Sequence, residues 1–308
     1  MTGLVAQARS DKALTGIALM LSAYFAFSFI DTGAKWLGTL GIPAMQLAFM
    51  RYFGHVFIST ALVARSGFTR DNFSAEQLPL VILRGALLAG STVLNFVAIQ
   101  YLPLTLTSTI LFAAPIMICA LSWPLLGERV GMWRWSAIMA GFCGILVTIR
   151  PFDESFHWAV FMSLSGAFCF AMYSILTRRL AGIVATDTLQ FYSGLVGAAT
   201  LLPFALWVWK NPATPFEWTV MVAIGVFGWL GHQLLTTAHR FASASTLTPF
   251  AYSFIVYLTI WSIVVFDHAP DAFTISGAAI IVAAGLVIWF RERHQATERV
   301  SERTYSKS

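Results

Sequence analysis

The chain has 308 residues, of which 58% are apolar and only 11% are Asp, Glu, Lys or Arg; soluble domains carry roughly a quarter charged residues. A water-soluble fold of this composition could not cover its surface with polar groups, whereas a bilayer removes that requirement. The formal net charge of +5 is spread as single basic residues between apolar runs, with no basic stripe interleaved with aromatics, which excludes a nucleic-acid interface.

Residues 1–12 form a short polar N-terminal segment. The apolar run that follows, 13–30, is longer than the ~7–15 residues of a signal-peptide core, and it predicts a retained first spanning helix. The second run, 42–64, is interrupted by Arg51. Residues 85–127 carry no Asp, Glu, Lys or Arg over 43 positions. As one helix they would extend roughly 65 Å, about twice the hydrocarbon thickness. The run must therefore turn back, and Leu102-Pro103 supplies the corner. This predicts a third span over about 80–101 and a fourth over about 104–125.

The remaining spans are predicted at about 131–149, 155–177, 188–209, 218–239, 241–266 and 272–290. Each is near the ~20 residues that cross a bilayer. The polar tail 291–308 is expected to be disordered. Cys119, Cys143 and Cys169 each lie inside an apolar run and form no CxxC, so they read as small hydrophobes rather than as a disulfide or metal framework.

Ten helices with a cytoplasmic N-terminus place fifteen Lys and Arg residues on the inner side. These include Arg65, Arg70, Arg84, Arg129, Arg178, Arg179, Arg240 and five in the tail. The outer side carries three: Lys35, Arg150 and Lys210. This partition predicts both termini inside. A count of nine or eleven spans would scramble it.

The two halves resemble each other at an offset near 140–144. Ala98-Ile99-Gln100-Tyr101 aligns with Ala238-His239-Arg240-Phe241. Both lead into Ser/Thr-rich segments: Thr105, Thr107 and Ser108 against Ser245, Thr246 and Thr248. Ser22–Phe25 falls opposite Ser165–Phe168, Lys35 opposite Arg178, and Gln46 opposite Gln190. The matches recur in order across five helices. Five is odd, so the second copy must lie upside down relative to the first. That is the inverted-repeat design of secondary transporters, with a site at the midplane between halves that rock.

Polar groups at membrane depth mark candidate positions in that site. Arg51 lies about eight residues into the second span, roughly 12 Å below its outer end. An unpaired charge there costs at least ~2.5–3.5 kcal/mol. His55 lies one turn further on the same face, and Asp31 sits at comparable depth on the neighbouring span. The expectation is an Asp31–Arg51 pair facing the interior, serving either structure or transport. Asn95, Gln100, His232 and Gln233 are disfavoured against lipid, so they should bond another helix or line a cavity. Lys35, near the outer end of the first span, is expected to snorkel to the interface. Pro115, Pro124 and Pro249 can kink their helices and free backbone carbonyls.

The helix-three exit 98–101, the Ser/Thr-rich start of the fourth span, Pro115, Leu125-Leu126-Gly127-Glu128-Arg129, Thr248-Pro249-Phe250 with Tyr252, Pro270, Gly277 and Gly285 together resemble the drug/metabolite transporter superfamily, in its ten-helix EamA-like branch. The resemblance covers about residues 13–290. It implies an all-α integral membrane protein of ten transmembrane helices arranged as two inverted five-helix repeats, 13–150 and 151–290. One departure is Asp267-His268, where the second repeat usually carries Gly-Glu. The resemblance also implies a cavity lined by spans three, four, eight and nine, with contributions from one and six. Tyr101, Phe112, Trp229 and Tyr252 lie on these helices, and an aromatic wall would suit a planar heteroaromatic solute.

Function follows as an expectation: a secondary transporter in the bacterial inner membrane, needing the lipid bilayer and a small-molecule substrate, with no cofactor and no metal. Candidate solutes are riboflavin-like heteroaromatics, S-adenosylmethionine, amino acids or drugs. No GxxxxGK[ST], HExxH or GxSxG occurs, so neither ATP hydrolysis nor an enzymatic role is predicted. An intramembrane enzyme on a lipid-linked substrate and a non-transporting adaptor are the alternatives, and a homodimer is left open.

Overall fold

The structure is a computed structural model that describes residues 2–66, 77–126, 132–154, 156–180, 183–242 and 247–305. It is built of helices: α1 (Thr2–Thr39), α2 (Ala44–Ser66), α3 (Leu78–Tyr101), α4 (Leu104–Leu111), α5 (Ala114–Leu126), α6 (Met132–Ile149), α7 (Ala159–Leu180), α8 (Thr186–Trp207), α9 (Pro215–Phe241), a 3₁₀ turn (Thr248–Tyr252), α10 (Ser253–Phe266) and α11 (Ala272–Tyr305). Among the described residues, eight segments are long and apolar enough to cross a membrane, and Trp135–Ile149 is a shorter apolar helix. The 23-residue α2, which carries Arg51, packs among them.

Local sequence explains the helix ends. At α9, Thr214 Oγ1 accepts from the Glu217 amide at 3.2 Å, and the Glu217 carboxylate accepts from the Ala213 amide at 2.7 Å. With Pro215 at the first helical position, this is a variant of the capping box in which the carboxylate reaches the amide before the cap. Leu102-Pro103 ends α3 and starts α4, as the sequence predicts. The fourth predicted span is broken, however, at Phe112-Ala113. Pro115 has no amide hydrogen to give to Leu111, so the ladder lapses there. The 3₁₀ turn containing Pro249 is the counterpart irregularity before α10.

Packing pairs the helices in a regular way. α1 packs on α9 and α7 on α3; α2 packs on α9 and α8 on α3; α1 packs on α10 and α7 on α4 and α5. α2 also packs against α8, and α6 against α11. Close approaches occur at glycine. A Cβ added at Gly54 would lie 2.6 Å from Gly225 Cα, so α2 and α9 touch backbone to backbone. Gly197 receives the ring of Tyr52, and Gly277 receives Thr148.

Most hydroxyls turn back on their own helices: Thr32, Thr148, Thr177, Ser193, Thr236 and Ser276 each donate to the carbonyl four residues earlier. Where α6 meets the start of α11, Arg150 bonds Asp271 and stacks 4.7 Å from the centroid of Phe273. Burial tends to raise the Asp271 carboxyl, but bonds from Thr274 and the charges of Arg150 and His268 outweigh it and hold it below the usual carboxylate range.

α11 runs to Tyr305, and the Glu-, Arg-, Gln- and Ala-rich sequence of its last turns has high intrinsic helix propensity. Two expectations need correction. Lys35 does not snorkel: its ammonium donates to the carbonyls of Ile99 at 2.7 Å and Leu102 at 2.6 Å, tying α1 to the end of α3. Arg84 is not an interfacial charge but a buried residue, 2% exposed. Of the motif residues, Gly127, Glu128, Arg129, Ser245 and Thr246, with Arg70, lie outside the described residues.

Candidate functional site: a polar cavity within the helix bundle

A cavity of about 560 Å³ lies among α1, α2, α3, α4, α5, α7, α8, α9 and the start of α10. That volume suits a drug-sized solute. Its wall is largely aromatic and aliphatic, with Tyr24, Phe27, Phe112, Phe170, Tyr173 and Phe254 among the lining residues. The polar groups are few and placed: Asp31, Arg51, Arg84, Asn95, Gln190 and His232, with several hydroxyls.

The cavity has a closed end and a reaching end. Beyond Asp31 and Asn95, the bundle is filled by Leu37, Ile42, Phe96, Ile99 and Leu104, all fully buried. Lys35 ties this end together, and Phe266 lies 5.4 Å from its ammonium. In the other direction the wall continues past His232 to Thr177, Val184 and His239. His239 is exposed and belongs to the last turn of α9. The start of α1 is there too, since a Cβ on Gly16 would meet Ala242 at 2.8 Å.

The expected Asp31–Arg51 pair is not formed as a direct contact. Asp31 Oδ2 accepts from Asn95 Nδ2 at 3.0 Å, and Arg51 Nη1 donates to Thr92 Oγ1 at 2.6 Å. Both partners stand on α3, so each charge is held by that helix and not by the other charge. The two charges still face one cavity. Thr92 is also bonded to the Tyr52 hydroxyl at 2.7 Å, which anchors Arg51 in a network across α2 and α3.

The other predicted residues separate into two groups. His232 lines the cavity; its ring lies 5.1 Å from Phe27 and 5.7 Å from His55. His55 is buried behind that wall, and its Nε2 has no bonding partner. Phe112 lines the cavity and packs at 5.1 Å on Tyr252, which stands behind it toward Gly285. Gln100, Tyr101, Trp229 and Gln233 are not on the wall. Gln100 Nε2 donates to the Ile42 carbonyl at 3.4 Å near the closed end. Tyr101 is half-exposed, stacks on His157 and packs in a tilted contact on Trp158. Trp229 has a buried Nε1 with no bonding partner, and Gln233 is turned away from the cavity because one residue step rotates a helix by about 100° from His232.

Sequence reasoning missed Arg84. Its Nε donates to Thr177 Oγ1 at 2.7 Å, its Nη1 to Ser193 Oγ at 2.7 Å and the Leu189 carbonyl at 3.0 Å, and its Nη2 to the Tyr173 hydroxyl at 2.8 Å. One guanidinium thus joins α3, α7 and α8 while lining the cavity. A charged residue within a span was the available signal, but its partners lie about a hundred residues away.

A bundle of apolar helices around a cavity with a few fixed polar groups is the architecture of a multi-pass membrane protein with a solute-sized internal cavity. Residues 14–150 and 157–290 each match the EamA-like transporter family. The chain belongs to that family, within the drug/metabolite transporter superfamily. It is 30% identical to the S-adenosylmethionine uptake transporter of Rickettsia felis, over 91% of this chain and 94% of that one. It is 29% identical to the pseudopaline exporter of Pseudomonas aeruginosa, over 90% and 97%. With the riboflavin transporter of Vibrio cholerae the identity is 27%, over 87% and 91%. A crystal structure of a protein with 17% identity superposes with a TM-score of 0.61, covering 93% of this chain and 99% of its own, which shows a shared fold.

Proposed function

We propose that the chain moves a small organic metabolite across the bacterial inner membrane by alternating access, as a secondary transporter and not an enzyme. In this reading ten spans form two inverted five-helix units, 13–150 and 151–290, with both termini cytoplasmic. The helix pairing supports it. Exchanging the two halves maps α1–α9 onto α7–α3 and α2–α9 onto α8–α3, and returns α2–α8 and α6–α11 to themselves. A pair of related gates needs such symmetry.

The observation that carries the reading is the cavity that ends at Asp31 and Asn95 but continues toward His239. With the termini inside, this is the inward-facing state. The site residues are then Asp31, Arg51, Asn95, Phe112 and His232, with Arg84 and Gln190 added. The relatives' names support a metabolite substrate and suggest the first panel.

The test is flux of riboflavin, S-adenosylmethionine and amino acids in vesicles containing only this protein. Unmodified solute crossing the membrane, above protein-free vesicles, is the expected result. Chemically altered solute would favour an intramembrane enzyme acting on a lipid-linked substrate. Tags on the two chain ends should be reached from one membrane face only, the cytoplasmic one.

A further inference from the structure

Charge at the cavity wall is unbalanced. Among the lining residues two guanidinium groups, Arg51 and Arg84, face a single carboxylate, Asp31. Neither cation is neutralised by direct contact: Arg51 bonds Thr92, and Arg84 bonds three hydroxyls and a carbonyl. Neutral oxygens solvate a buried cation but do not cancel its charge.

The two arginines differ in what they leave available. A guanidinium has five N–H donors. Arg84 commits four of them to the protein, so it is a fixed source of positive potential. Arg51 commits one, to Thr92, and its side chain reaches the cavity. Its stem packs on Gly228, where a Cβ would lie 3.2 Å from Arg51 Cγ. Thr92 and Tyr52 fix the near side of the fork. What remains is a planar guanidinium with uncommitted N–H donors on the wall of a largely apolar chamber, and such a group favours bidentate carboxylate binding. Asp31, held by Asn95 at the closed end, offers a separate acceptor for a cationic or N–H group of the same solute.

We infer that the transported solute carries a free carboxylate, received by Arg51 within the field of Arg84. This rests on the transporter reading and narrows its substrate class. It favours carboxylate-bearing metabolites over neutral heteroaromatics such as riboflavin.

The experiment compares matched probes on the purified protein. S-adenosylmethionine, glutamate and citrate form the carboxylate set. Decarboxylated S-adenosylmethionine, glutamate dimethyl ester and riboflavin lack the free carboxylate. Binding is read by ligand-induced thermal stabilisation, and transport by flux into vesicles. At least one carboxylate probe should bind and move, and its carboxylate-free counterpart should bind about 10–100-fold more weakly, as the loss of a charge-assisted bond implies. Arg51→Gln should remove that difference, while Arg51→Lys, which keeps the charge but not the fork, should retain part of it. Both variants are scored only as monodisperse protein. If both misfold, the wild-type probe comparison decides alone.

Riboflavin moving with no carboxylate probe bound would overturn the inference and leave the transporter reading intact. So would Arg51→Gln weakening both probe sets equally. Failure of every probe to bind or move would count against both.

Discussion

The α2–α9 crossing gives a sharp test of how closely these helices must pack. A methyl group added at Gly54 would stand 2.6 Å from Gly225 Cα and 2.9 Å from its carbonyl carbon. Ordinary carbon contacts are about 3.5–4.0 Å. The obstructing atoms are backbone, so no rotamer change relieves the clash, and the helices must separate by about 1 Å. Overpacking of this kind costs about 1–3 kcal/mol. The cost reaches the site because Arg51, one turn earlier on α2, packs on Gly228 one turn later on α9. Gly54→Ala should therefore lower the melting temperature of the purified protein and reduce its flux. Gly90 is the control: a Cβ there meets only Cys169 Sγ at 3.8 Å. Gly90→Ala should melt at or above wild type, since alanine is the better helix former by about 1 kcal/mol. Gly54→Ala melting with wild type, or Gly90→Ala falling as far, would show that the α2–α9 backbone contact does not limit packing.

Arg84→Gln should destabilise the protein by at least the worth of one charge-assisted hydrogen bond, about 1.5–3 kcal/mol, and Arg84→Lys should not restore it, because an ammonium cannot reproduce the fork to Tyr173 and Ser193; melting curves of the two variants check this. Lys35→Gln should loosen the closed end by freeing the Ile99 and Leu102 carbonyls, read as faster labelling of a cysteine introduced at Leu104. Asp271 has a depressed carboxyl in the fold, so its contribution is complete above its ordinary value near 3.8 and is lost as pH falls through the lower folded value. The melting difference between wild type and Asp271→Asn should accordingly hold constant from about pH 5 to 8 and shrink below about pH 4.

Helix existence was legible because a charge-free stretch of sufficient length has one plausible solvent. Asp31, Arg51, Asn95 and His232 line the cavity, but where it ends and how each helix is rotated were not legible. Gln100 and Tyr101 lie past the closed end, at the end of α3, and a one-residue step separates His232 on the wall from Gln233 off it. Charge counting also misread Lys35 and Arg84, because it sees only that a basic residue is near a helix end. Whether such a residue faces water or the carbonyls and hydroxyls of other helices depends on partners distant in the chain. Ile99 and Leu102 for Lys35, and Tyr173, Thr177, Leu189 and Ser193 for Arg84, could be found only once the helices were assembled.

The hydroxyls that bond back into their own helices have a mechanical consequence. A serine or threonine satisfied in this way travels with its helix and presents a neighbour with little to break. Directional ties across the bundle then fall largely on α3, through Arg84, Thr92 and Asn95, and on Lys35 gripping its far end. Those few links act like pegs in an otherwise greased joint. They are where resistance to a change of shape is concentrated, and a solute that competes for the Thr92 or Asn95 partners would loosen the joint from inside.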